Sequence, residues 1–142
     1  MSEPLTNAEL DLLLQGARWE GPRHDERYEM FLEQRSGLLF LMVVGKVLQP
    51  VPDEFGARLR EIFSRLSEPK VVVDLSRCGY LASSAIGFLV DFFNVSTADG
   101  VRVVMLKPND RVRAIIDLLG LTHFFTLVDN EQAAITKLNA PA

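Results

Sequence analysis

The sequence is poor in cysteine, and that excludes most covalent and metal frameworks. Its one cysteine, Cys78, has no partner for an internal disulfide and no second thiol to resolve an oxidised one. Two histidines, His24 and His123, stand far apart in the chain with no cluster of cysteines or acids around them. No local metal motif is present, and neither a metal nor another cofactor is expected. Long apolar runs are also missing. The longest, Leu38 to Val44, falls well short of the roughly 18 residues that a spanning helix needs. Acids (Glu3, Glu9) rather than basic residues precede the leucines near the start, unlike a secretory signal. A cytoplasmic protein with no direct membrane insertion is therefore expected. Nor is there an excess of positive charge. A net charge of −4 does not fit the basic stripe of a phosphate-backbone binder, so nucleic acid is not an expected partner. P-loop, GxGxxG and GxSxG runs are absent as well.

What is there fits one domain. At 142 residues the chain can bury a core without disulfide or metal support. Thr6 to Glu9 is a capping-box pattern, and Leu10, Leu13 and Leu14 follow at helical spacing, so a helix should run to about Gln15 and stop at Gly16. The charged stretch Glu20 to Arg27 reads as a linker. These residues, 1–27, form an N-terminal extension; the compact domain spans 28–138, and 139–142 is a tail. Tyr28, Met30 and Leu32 alternate with polar residues, and a turn at Ser36 and Gly37 leads into Leu38–Val47, a hairpin pattern. Phe55, Leu59, Ile62 and Leu66 make a helical stripe. Lys70–Leu75 is nearly all apolar, as in a strand covered on both faces. Strand 101–106, a helix from the "KPND" segment to Gly120, strand 123–128 and a last helix capped by Asp129 or Asn130 complete the order ββαβαβαβα. That order is α/β, with a mostly parallel mixed sheet of about five strands, an antiparallel edge from the leading hairpin, and helices packed on it.

The helix after Leu81 carries an unusual amount of apolar surface. On a wheel of about 100° per residue, Ile86, Leu89, Val90, Phe93 and Thr97 form a core stripe. Ala85, Phe88, Phe92 and Val95 form a second group beside it, widening the apolar arc to roughly 220°. Two coverings are open: the helix of Leu10 to Leu14 folded back over it, or a partner protein. Ser83 and Ser84 open this helix, and Ser84 lies next to Phe88 at the border of the second group. A serine there is a preferred helix cap. A phosphoryl group there would sit at a helix N-terminus, where free N–H groups favour an anion, and would oppose a partner at the apolar border.

The strand "VVVDLS", the serine pair in "LASSAIGFL", and the tail "NDRVRAIIDLLGLTHFFTLVDNEQAAITKL" together resemble the STAS domain, and within it the bacterial anti-sigma factor antagonists. The resemblance covers about Tyr28 to Leu138. It implies a regulatory protein without catalysis of its own, which binds a serine kinase that is also the anti-sigma factor and is released by phosphorylation until a phosphatase restores it. In the family an Asp-Ser-Ser-Gly motif opens the helix and its second serine is phosphorylated. Ser84 matches that position, with Ser83 as the second choice. The resemblance places the partner surface at Ala82, Ser83, Ser84, Ala85, Phe88 and Phe92. Two residues depart from the motif: Ala82 stands where the family has its acid, and Ala85 where it has glycine. The first removes a polar group that the kinase or phosphatase would read, and the second adds a Cβ where a partner or phosphate would approach. These departures also fit an alternative, a non-phosphorylated STAS subunit or scaffold of a transport or stressosome-like assembly.

Three further features have bland readings. Cys78, before the serine pair, reads as packing. Asp74 ends a buried strand, where an acid hydrogen-bonds the following loop more often than it orients a catalytic group. Lys107, Arg111 and Arg113 near a helix start read as a solvated basic face rather than a seat for a nucleotide phosphate or an acidic partner.

Overall fold

The structure, a computed structural model, describes residues 6–21 and 28–140. The linker from Pro22 to Arg27, with His24, lies outside these residues, as does the end of the tail. Helix α1 (Asn7–Gly16) opens with the expected capping box, in which the Thr6 hydroxyl accepts from the Glu9 N–H while the Glu9 carboxylate accepts from Thr6. Its Leu10 and Leu14 are buried against the sheet, and Arg58 donates to the carbonyl of Gly16.

Strand β1 (Arg18–Glu20) pairs antiparallel with β2 (Tyr28–Arg35), and β2 with β3 (Leu38–Val47). Ser36 and Gly37 both take positive φ, 56° and 74°, the geometry of a tight hairpin turn. After α2 (Asp53–Ser64), β4 (Lys70–Asp74) pairs parallel with β3; then come β5 (Cys78–Leu81), α3 (Ser83–Ala98), β6 (Arg102–Leu106), α4 (Asp110–Leu118), β7 (Leu127–Val128) and α5 (Glu131–Asn139). The sheet runs β1-β2-β3-β4-β6-β7, antiparallel up to β3 and parallel beyond it, with β5 pairing to the far end of β3.

The mixed α/β architecture is as expected, but the sheet has seven strands among the described residues rather than about five. β1 lies partly within the stretch read as linker: Glu20 is its last residue. β5 was also not expected. The strand expected over 123–128 shrinks to two residues, because Phe124 and Phe125 turn back onto Leu121 through their amides.

The central strands are apolar on both faces and are covered on both. Leu39, Leu41, Val43, Val71, Val73 and Met105 face α1 to α4; Leu38, Phe40, Met42, Val72, Val104 and Leu106 face α5. Each large side chain so buried adds about 1.5–3 kcal/mol. Arg35 closes the thinner face: its guanidinium stacks 3.8 Å from the Phe40 ring centroid and bonds Glu131 of α5 at 3.2 Å. Burial pulls this guanidinium's pKa down, but the bond to Glu131 and the charges of Glu131, Glu33 and Asp74 outweigh it and hold the pKa above the ordinary value.

Candidate functional site

The chain reaches α3 through a fixed sequence of bonds. Asp74, 3% exposed at the end of β4, accepts from the Ser76 N–H at 2.9 Å and its hydroxyl at 2.6 Å, and its other oxygen lies 3.6 Å from Arg35. This acid shapes the following loop, in keeping with its bland reading. Beyond the turn, β5 continues on β3 where β4 has ended, pairing Cys78 with Gly45 and Leu81 with Val47. The Ala82 N–H then donates to Val47 at 2.9 Å. Asn109 fastens the same segment from the other side. Its Oδ1 caps α4 through the Val112 N–H, and its Nδ2 donates to the carbonyls of Cys78 at 3.0 Å and Gly79 at 3.3 Å.

The N-cap of α3 is Ala82, which offers no side-chain bond. Ser83 and Ser84 are therefore the first two residues of the helix, not its cap, and the cap reading is corrected. Both are exposed, and neither hydroxyl is hydrogen-bonded. The first turn of this long helix thus presents its amide end to solvent without a capping oxygen.

The second apolar group of α3 is covered from within the chain. The cover is α2 rather than α1: Phe55 lies 6.1 Å from Phe88, and Phe63 5.9 Å from Phe92, between ring centroids. Of the residues expected at a partner surface, Ser83 and Ser84 are exposed, Ala82 and Phe88 are half-buried, and Ala85 and Phe92 are buried. Phe88 remains accessible where a groove of about 330 Å³ runs between α2 and α3, lined by Gly56, Ala57, Arg60, Asp91 and Val95. Thr97, placed in the core stripe by the wheel, is exposed. Ala85 is 0% exposed, so its methyl group points into the core and not toward an approaching partner.

Cys78 is buried, and burial pushes its thiol up to about 11, far from the reactive thiolate; its Sγ lies 3.5 Å from the Tyr80 carbonyl. No group of metal ligands occurs among the described residues, and His123 is exposed in the turn before Phe124. No described helix is long and apolar enough to cross a membrane. Arg113 pairs with Asp129 at 2.7 Å, whereas Lys107 and Arg111 stay exposed. Asn109 is the site residue that sequence reasoning missed: its place before α4 marks a cap, but nothing local marks the second bond, made 31 residues back along the chain.

Comparison with known proteins gives a consistent picture. The family model of the STAS domain matches residues 29–134. A curated relative, the anti-sigma F factor antagonist of Paenibacillus polymyxa, is 22% identical over 107 residues, which make up 75% of this chain and 92% of that protein. Among solved structures, the anti-sigma factor antagonist SpoIIAA in its unphosphorylated form superposes with a TM-score of 0.63 at 17% identity, covering 80% of this chain and 98% of its own. An anti-sigma factor antagonist from Mycobacterium paratuberculosis gives 0.64 at 19% identity, covering 78% and 93%. At these identities the solved structures speak for the fold.

Proposed function

This chain belongs to the STAS domain family, and from that premise we propose that it is an anti-sigma factor antagonist-like regulator switched by phosphorylation at Ser84. It binds a serine kinase that is also an anti-sigma factor through the surface around the first turn of α3, works in the cytoplasm and catalyses no reaction. A phosphatase resets it. The observation that carries this reading is the state of Ser84: an exposed, unbonded hydroxyl in the first turn of a 16-residue helix whose N-cap is an alanine. A phosphoryl group placed there meets uncapped amides and the positive end of the helix dipole, so the modified form is accommodated without loss of an existing bond. It also brings about −1.5 to −2 charges to the edge of the half-buried Phe88 surface, where they oppose a bound partner. The inward methyl group of Ala85 supports this reading, because the departure from glycine leaves the outer surface unobstructed. The relative named as an anti-sigma F factor antagonist supports the same direction.

The test is phosphopeptide mapping across residues 81–93 on protein from its own cells, together with capture of its kinase by the Ser84→Ala and Ser84→Glu variants. Phosphate on Ser84, binding by Ser84→Ala and release by Ser84→Glu are expected. An unmodified Ser84 in growing and stressed cells alike, with both variants held in one large stable complex, would replace the switch by the scaffold role.

A further inference from the structure

Beside the serine-bearing turn stands a set of unpaired cations that the switch alone does not use. Most other arginines among the described residues are engaged: Arg18 and Arg35 with glutamates, Arg58 and Arg102 with backbone carbonyls, Arg60 with Asp99, and Arg113 with Asp129. Arg77, Lys107 and Arg111 are exposed and have no such partner. The topology gathers these three on one rim. Arg77 ends the turn that feeds β5, Lys107 follows β6 with a φ of 53°, and Arg111 lies in the first turn of α4. β4 and β6 stay paired to their last residues, Asp74 beside Leu106, and the Leu75 N–H donates to Leu106 at 2.9 Å. Asn109 then ties the loop after β6 to the carbonyls of Cys78 and Gly79. Among the described residues acids are few here: Asp74 is buried with Arg35, Asp129 is taken by Arg113, and Asp110 is exposed in the first turn of α4.

A chain of net charge −4 therefore carries three unpaired cations on the rim beside the segment that delivers Ser83 and Ser84, one of them, Arg77, on that segment itself. We infer that this rim seats an acidic surface of the protein partner that docks at the first turn of α3. The inference rests on the switch reading for the existence of that partner. It adds the partner's charge, and with it a second reason for release: a phosphoryl group at Ser84 repels an acidic surface and competes with it for the same cations. The three side chains are exposed on separate elements, which suits a broad acidic surface rather than a small anion. A nucleic acid would meet an acidic molecule overall.

The test selects peptides from a random linear library on the full chain and measures their affinity at rising salt. Enrichment in Asp and Glu is expected, with binding that weakens as salt rises. Reversal of all three cations (Arg77→Glu, Lys107→Glu, Arg111→Glu) should weaken binding at least roughly tenfold, the size that three exposed ion pairs together support. All three positions are exposed, so an unchanged thermal melt is the control, and the neutral triple variant to Gln should fall between. A neutral or basic consensus, salt-insensitive binding, full binding by the reversed variant, or no binder at all overturns the inference. Ser84→Glu separates the two readings. If it leaves acidic peptides bound while the reversed variant loses them, the rim stands and the phosphorylation switch falls.

Discussion

The middle of α3 and its first turn are held in place by different means. In the middle, Phe92 is 6% exposed and touches the rings of Phe63, Phe88 and Phe93, while Phe93 packs 4.7 Å from Phe125. In the first turn, two serines face solvent with no side-chain bond, and the N-cap contributes only its backbone. The helix axis is thus fixed by α2 and the sheet, through Phe88 and Phe92, about one and two turns beyond Ser84. A site of this kind can change its charge without changing its position. The anchoring of the first turn comes from the segment before it, through β5 and Asn109, and not from the serines.

Removing the packing should have the largest effect. Phe92→Ala is expected to cost about 3–5 kcal/mol in chemical denaturation, whereas Ser84→Ala should stay within about 0.5 kcal/mol. Similar costs for the two would break the contrast. The buried approach to the turn can be examined through pH. The Cys78 thiol is raised by burial from 9.0 to about 11, so its contribution is complete below the unfolded value and is lost as pH climbs toward the folded one. At about 1.4 kcal/mol per pH unit, wild type should lose on the order of 2–3 kcal/mol more than Cys78→Ala across that window. Tyr28, also raised by burial, titrates in both proteins and cancels in the difference. Parallel pH profiles would mean that β5 is open to solvent. A smaller loss, about 1 kcal/mol, belongs to Asn109→Ala, which removes a helix cap and the bonds to Cys78 and Gly79. Its more informative readout is hydrogen exchange at residues 78–84, which should quicken while the amides around Phe92 stay protected.

Much of this arrangement was legible in the sequence. The capping box at Thr6, the turn at Ser36 and Gly37, and the stop at Gly120 are local chemistry, and each sits where the residues indicate. Gly120 and Leu121 donate back to Asp117 and Ile116, a helix-terminating pattern that a glycine after two leucines announces. β1 and β5 were not legible, because strands of three and four residues have no period to read and exist only through the edges of β2 and β3. The cover over Phe88 and Phe92 was also hidden. A wheel gives the width of an apolar arc but not which helix lies on it, and here α2 adds its own aromatic residues, Phe55 and Phe63. The position of Ser84 as the second residue of the helix, rather than its cap, depends on where the Ala82 N–H meets Val47, a long-range bond.

The two outermost strands of the sheet, β1 and β7, are three and two residues long, and β1 carries Arg18 and Glu20 at its ends. An edge so short and charged gives another chain little backbone to extend, which is how natural sheets avoid growing into fibres. The apolar strands β3 and β4 lie inside, and β6 is flanked by β4 along its length and by β7 at its last two residues. Copies of this protein brought close together therefore find little backbone at these outer strands through which to join their sheets.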